Sequence, residues 1–154
     1  MNAVVDEAVE VAAGICRPFE GLVLKPYLCP AGYWTIGYGT VWKPDGTQVK
    51  PEDPPITKET AEAWLLHELR HNYLPGVLRA SPVLIHHPKI LGALTDFAYN
   101  LGVGRYRGST LRKRVADRDW DACKTELRRW VRGGGRVLPG LVRRREAEIA
   151  LFLS

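Results

Sequence analysis

Residues Tyr33-Trp34-Thr35-Ile36-Gly37-Tyr38-Gly39-Thr40-Val41-Trp42 are aromatic and β-branched with glycine punctuation, and the turn Pro44-Asp45-Gly46 and residues 47–49 follow them. Such a stretch reads as a small β-hairpin. Pro51, Pro54 and Pro55 close it off, so extended structure has little room to grow into a larger sheet. Elsewhere the apolar residues recur at helical spacing. Val4, Val5, Ala8, Val11, Ala12 and Ile15 predict a helix over residues 3–17 that Pro18 ends. Ala61, Trp64, Leu65 and Leu69 predict another from about 57 to about 73, with Thr57 as its N-cap. A Pro- and His-rich loop over 81–88 precedes an apolar helix over 90–101, which Gly102 and Gly104 terminate. Shorter helices are expected over 110–116, 120–131 and, after the glycines at 133–135, 141–153. The fold class is therefore α+β, mostly helical.

At 154 residues the chain has the size of one compact domain, and such a domain buries about 70% of its unfolded surface without metals or disulfides. Three cysteines, Cys16, Cys29 and Cys123, cannot all pair within the chain, which argues against a stapled secreted mini-domain. Residues 3–16 are apolar but carry Asp6, Glu7 and Glu10, with no basic leader and no run long enough to span a membrane. The net charge is +5, from 22 Lys+Arg against 17 Asp+Glu. That balance favours polyanionic partners in general. The basic residues gather between Arg105 and Arg145 and read as a solvated helical face. No binding motif or stacking platform accompanies them, so nucleic acid is not an expected partner.

Glu20 is the candidate general acid. It follows the N-terminal helix directly, and a carboxyl at the end of an apolar helix is partly desolvated, which favours the neutral, proton-donating form. A plainer role is also open to it, as a hydrogen-bond acceptor or as partner of an arginine from the C-terminal region. A competing motif lies in the second long helix. His67-Glu68-Leu69-Arg70-His71 matches H-E-x-x-H, which on a helix places two imidazoles on one face with a glutamate as base for zinc-dependent proteolysis. No third ligand follows at a suitable spacing, and His86-His87 fall in a loop, so the motif reads as the polar face of an amphipathic helix. No metal and no cofactor are expected.

In order and spacing, Glu20, Cys29 and Thr35 resemble the Glu, Asp/Cys, Thr triad of the phage-type lysozymes, the endolysins of glycoside hydrolase family 24. The resemblance extends to Ala93-Leu94-Thr95-Asp96-Phe97-Ala98-Tyr99-Asn100-Leu101-Gly102, to Ser109-Thr110-Leu111 and to Arg129-Trp130. It continues through Gly134-Gly135 and Leu138-Pro139-Gly140-Leu141-Val142-Arg143-Arg144-Arg145 with Glu148, covering roughly residues 15 to 153. It implies a single two-lobed lysozyme-like domain over 1–154. Within it, a small β-containing lobe (about 18–56) lies next to the active-site cleft. A linking helix (about 57–73) leads to a helical lobe (about 74–154) that also takes in the N-terminal helix.

The resemblance also implies an activity: hydrolysis of the β-1,4 bond between N-acetylmuramic acid and N-acetylglucosamine in peptidoglycan. Glu20 would protonate the glycosidic oxygen, and Cys29 and Thr35 would handle water on the opposite face of the sugar. A thiol is neutral below its ordinary pKa, so Cys29 does not copy a carboxylate in full. Cys29 has two plainer readings, a buried hydrophobe or a disulfide partner of Cys16. Tyr38, Gly37 and Asn100 are the expected substrate contacts, and Trp130 is expected in the core. Thr40 stands where the family commonly has a histidine.

Two further function classes share these residues: a lytic transglycosylase using the same Glu20, and a peptidoglycan-binding module without catalysis. A monomer is expected, made in the host cytoplasm and acting on the wall after export or release through a membrane pore. Some family members carry an uncleaved N-terminal membrane anchor.

Overall fold

A computed structural model describes residues 2–153. Helix α1 spans Asn2–Glu20 and is followed by strands β1 (Val23–Leu28) and β2 (Trp34–Gly37), an antiparallel pair. Then come α2 (Lys58–Glu68), a π-helical segment (Leu69–Tyr73) and α3 (Leu74–Ala80). A 3-10 turn (Pro82–His86) leads into α4 (Pro88–Leu101). Helices α5 (Val103–Arg107), α6 (Thr110–Ala116) and α7 (Trp120–Leu127) precede a ribbon of β3 (Arg132–Gly133) with β4 (Arg136–Val137). Helix α8 (Pro139–Ile149) and a 3-10 turn (Ala150–Leu153) complete the described chain.

Helix α4 is the centre of the core. Ile90, Leu91, Ala93, Leu94, Phe97 and Ala98 are all buried on it. The α1 face of Ala8, Ala12, Ala13 and Cys16 packs against this core. The two helices approach closely through Gly92, where an added Cβ would lie 2.6 Å from the Val11 Cβ and 2.7 Å from the Ala8 carbonyl oxygen. Leu65, Leu69, Leu111, Val115, Cys123 and Leu127 extend the same cluster.

Three local features depart from the sequence expectation. Helix α1 does not stop at Pro18 but runs to Glu20. Pro18 and Gly14 are both exposed, so the carbonyl that loses its helical partner faces water. The stop comes instead from Gly21, which takes φ 73° and donates its N–H to the Arg17 carbonyl at 3.0 Å. The hairpin begins at Val23, a strand the sequence reading did not place. Pro26 sits inside β1, which a two-stranded ribbon tolerates because both strands are edges, and the register is irregular between Val23 and Tyr27. The expected turn at 44–46 is formed, with the Gly46 N–H donating to the Lys43 carbonyl at 2.9 Å and the Lys43 N–H to the Thr47 carbonyl at 2.8 Å, but its arms pair only at an isolated bridge between Trp42 and Gln48. The third feature is the π segment. Pro75 has no N–H to give the His71 carbonyl, and the chain relaxes so that Leu74 donates to Leu69, five residues back.

Candidate active site

Glu20 lies on the last turn of α1, one turn beyond Cys16 and on the same face. Arg144 of α8 reaches it from across the molecule. Its Nη1 donates to Glu20 Oε2 at 2.7 Å, while Nε and Nη2 donate to Asp96 of α4 at 3.0 and 2.8 Å. The Cys16 thiol donates to the same Asp96 carboxylate at 3.0 Å. One guanidinium thereby fixes α1, α4 and α8 to each other. The next residue repeats the device, since Arg145 Nη2 donates to Asn100 Oδ1 at 2.8 Å and to Glu148 Oε2 at 2.9 Å. The Arg145 guanidinium also stacks over Phe97, 5.1 Å from the ring centre.

Asp96 and Arg145 are fully buried and Arg144 nearly so. Charges this deep are tolerated when they are paired, and here Arg145 Nε also lies 2.7 Å from Glu148 Oε1. Burial works against the Arg144 charge, but the hydrogen bonds and charge of Asp96, with Glu20, outweigh it and hold its proton more firmly than usual. Asp96 likewise stays ionised against its burial, through Glu148 and Arg144. Burial, a hydrogen bond with Asp96 and the Asp96 charge push Glu148 well up, against the pull of the Arg145 charge. Glu20 therefore does not end an apolar helix in apolar surroundings; it meets a guanidinium.

The other oxygen of Glu20 faces the segment after β2. Gly39 has φ 88°, and a Cβ there would fall 2.9 Å from Glu20 Oε1 and 3.2 Å from the Tyr99 hydroxyl. Only glycine meets both demands at this position. Tyr99 is itself anchored, donating to the Tyr38 carbonyl at 2.6 Å.

Cys29 opens the turn between β1 and β2. Gly32 donates its N–H to the Cys29 carbonyl at 2.9 Å, and Cys29 donates its own to the Tyr33 carbonyl at 2.9 Å. Polar groups of this turn, the Tyr33 backbone first among them, hold the thiol below its ordinary pKa. Thr35 is buried and also donates to the Tyr33 carbonyl at 2.9 Å. Tyr27 lies where the charges of both Glu20 and Cys29 reach it, and burial is the main cause that raises its phenol.

Two cavities flank the contact between Glu20 and Gly39. One of about 350 Å³ is lined by Phe19, Glu20, Asn100, Leu138, Leu141 and Arg144. Another of about 400 Å³ is lined by Gly39, Val41, Trp42, Glu68, Asn72 and Tyr73. Among the described residues, no group of three or more His, Cys, Asp or Glu is placed to hold a metal ion. No described helix is long and apolar enough to cross a membrane.

A family profile described as "Phage lysozyme" matches residues 17–148. The chain belongs to the phage lysozyme family. It is 33% identical over 144 residues to the endolysin of Acyrthosiphon pisum secondary endosymbiont phage 1, covering 91% of this chain and 93% of that protein. It is 35% identical to the endolysin of Bacillus phage PZA over 94% of this chain, but spans only 54% of that protein. Among solved structures, the endolysin from Escherichia coli O157:H7 phage FAHEc1 superposes with a TM-score of 0.78. That pair is 29% identical and covers 96% of this chain and 91% of the other.

This phage lysozyme has the α+β, mostly helical fold with a small hairpin that the sequence implied. Of the residues expected at its site, Glu20 and Asn100 line one cavity, and Cys29 and Thr35 meet at the hairpin turn. Tyr38 and Gly37 do not join them. Tyr38 is buried in the core, and Gly37 packs toward α2, where a Cβ would meet the Ala61 Cβ at 3.3 Å. The period-two pattern could not tell which face of the strand is covered. Trp130 packs edge-on against Phe97, as a core residue. Cys16, Cys29 and Cys123 are all free thiols.

In the H-E-x-x-H motif, the His67 and His71 rings contact each other at 4.5 Å, while Glu68 is buried and lines the second cavity. Of the plainer roles open to Glu20, pairing with a C-terminal arginine is the one found, through Arg144, whereas sequence reasoning missed the linking roles of Asp96 and Arg145. The lone acid in the apolar run of α4 was the available signal, because a buried aspartate requires a partner. Arg144 and Arg145 had been grouped with a solvated basic face; the structure buries both.

Proposed function

We propose that this phage lysozyme cuts the β-1,4 bond between N-acetylmuramic acid and N-acetylglucosamine, with Glu20 as general acid and Cys29 and Thr35 handling the attacking water. The chain is an endolysin that degrades peptidoglycan of the host cell wall. The observation that carries the finer reading is the division of labour between the two oxygens of Glu20. Oε2 is held by Arg144, and Oε1 is left at the junction of two cavities against a residue without a side chain. A proton carried on Oε1 can reach a glycosidic oxygen without breaking the Arg144 contact. As it transfers, the bond to the anomeric carbon breaks through an oxocarbenium-like state.

Water then adds to the anomeric carbon from the opposite face. The Thr35 hydroxyl orients it and the Cys29 thiolate takes its proton, which the lowered pKa of the thiol favours. The same thiol in place of a carboxylate keeps transglycosylation in view, since there the substrate's own hydroxyl attacks and no second carboxylate is needed. The protein acts as a monomer, reaching the wall from the host cytoplasm by export or through a membrane pore. Digestion of purified peptidoglycan followed by mass spectrometry of the fragments tests the reaction. Reducing muramic ends are expected. Anhydro-muramic ends would make the enzyme a transglycosylase, and binding with no fragments would make it a wall-binding module.

A further inference from the structure

His67 and His71 take no part in the reaction above, and they line neither of the two cavities beside Glu20. They stand four residues apart, His67 on α2 and His71 on the π segment. One turn of either helix type brings such residues to the same face. Their ring centres are 4.5 Å apart, with the planes tilted by 42°. His71 is exposed, and Nδ1 of the half-buried His67 has no hydrogen-bond partner among the described residues. The charged residues between them are engaged elsewhere. Glu68 is buried in the wall of the cavity of about 400 Å³, and Arg70 turns to α1, where it pairs with Asp6.

Two imidazoles at this separation suit a transition-metal ion. A neutral imidazole offers one lone pair, and a metal takes it at about 2.1 Å. The ion then lies about 3.2 Å from each ring centre, and two ligands at right angles hold the centres about 4.5 Å apart, against about 5.2 Å for tetrahedral ligands. The right-angled value is the separation found here. Tetragonal ligation by nitrogen is the preference of Cu²⁺ and Ni²⁺. We propose that His67 and His71 form a two-histidine site for a divalent transition-metal ion of this kind. Among the described residues no third His, Cys, Asp or Glu joins them, so water completes the coordination. The bound ion ties the end of α2 to the π segment, in a place where the sequence predicts no metal. Nothing in this depends on how the glycan is cut.

The test is calorimetric titration of Ni²⁺ into the purified protein at about pH 7.5, where an ordinary imidazole is neutral. Wild type is compared with His67→Ala, with His71→Ala, and with a control that carries both His86→Ala and His87→Ala in the other histidine pair. One ion per chain is expected. His67→Ala and His71→Ala should each weaken binding by about ten-fold or more, since even the loss of an outer-shell partner costs that much. The control should bind like wild type. The paired geometry exists only in the folded chain, so Ni²⁺ at about a hundred times its Kd should raise the Tm of wild type by about 5 °C or more. It should leave the Tm of His71→Ala nearly unmoved. Full affinity in His71→Ala, loss of affinity in the control alone, or no binding up to about 1 mM Ni²⁺ overturns the proposal. So does a Tm that Ni²⁺ raises no more in wild type than in His71→Ala. His71 is exposed, so if His67→Ala does not fold, His71→Ala decides.

Discussion

Cys29 shows how one position can accept two chemistries. Polar groups of the turn that follows β1, with the Tyr33 backbone first and the Thr35 side chain and the Ala31 and Gly32 backbone behind it, lower the pKa of its thiol. Those groups stabilise negative charge whether it sits on sulfur or on a carboxylate. Cys29→Asp should therefore remain active. The thiolate fraction falls as the solution is acidified through the thiol's lowered pKa, whereas an aspartate stays ionised to much lower pH. The activity ratio of Cys29→Asp to wild type should rise as pH drops from about 8 to about 5, measured as clearing of peptidoglycan suspensions. A flat ratio, or unchanged turnover in Cys29→Ser, would reduce Cys29 to packing. Gly39 is the complementary case, a residue whose use lies in having no side chain beside Glu20 Oε1.

Among the elements, the meeting of α1 with α4 decides where Glu20 stands. Both helices were legible in the sequence because their apolar faces repeat at helical spacing, as with Ala8, Ala12 and Ile15 on α1, all three buried. Their contact was not legible. It depends on Gly92, which a local reading of α4 treats only as a weak helix former. Gly92→Val should drive a side chain into Val11 and the Ala8 carbonyl and destabilise the protein by roughly 1–3 kcal/mol or more. Thermal unfolding checks this; an unchanged Tm would mean that the helices separate freely.

The missed elements share a cause. Helix α5 is five residues long, and the β3–β4 ribbon turns on Gly134 and Gly135, both at positive φ. Such pieces are too short for periodicity to show. The extension of α1 past Pro18 depends on contacts made by Cys16 and Glu20 with residues far along the chain, which no local window contains.

At the scale of the whole molecule, charges that would be solvated in an isolated helix are buried to join three helices. Glu20 and the closing arginines were each visible in the sequence, but their pairing through Asp96 is a product of the tertiary fold. Glu68 adds a pH dependence to stability. Its folded pKa, pushed up to about 7, lies above its ordinary value of 4.5. Below the lower value both folded and unfolded chains hold the proton, and Glu68 costs nothing. Between the two, the unfolded chain releases the proton while the folded one keeps it, so stability falls as pH rises. Above about 7 the loss is complete, amounting to about 3 kcal/mol. Denaturant unfolding of Glu68→Gln against wild type at about pH 5 and about pH 8 should show the gap opening in favour of the variant at the higher pH. A gap that does not change with pH would contradict burial of an ionisable Glu68.

The central claim is that Glu20 delivers the proton. Its most direct test is the rate of soluble fragment release from purified peptidoglycan by Glu20→Gln, measured with the variant shown by circular dichroism and Tm to keep the native fold. The account predicts a loss of at least about a hundred-fold, as expected for removal of a general acid. A folded Glu20→Gln protein that releases fragments at a rate close to wild type would contradict it.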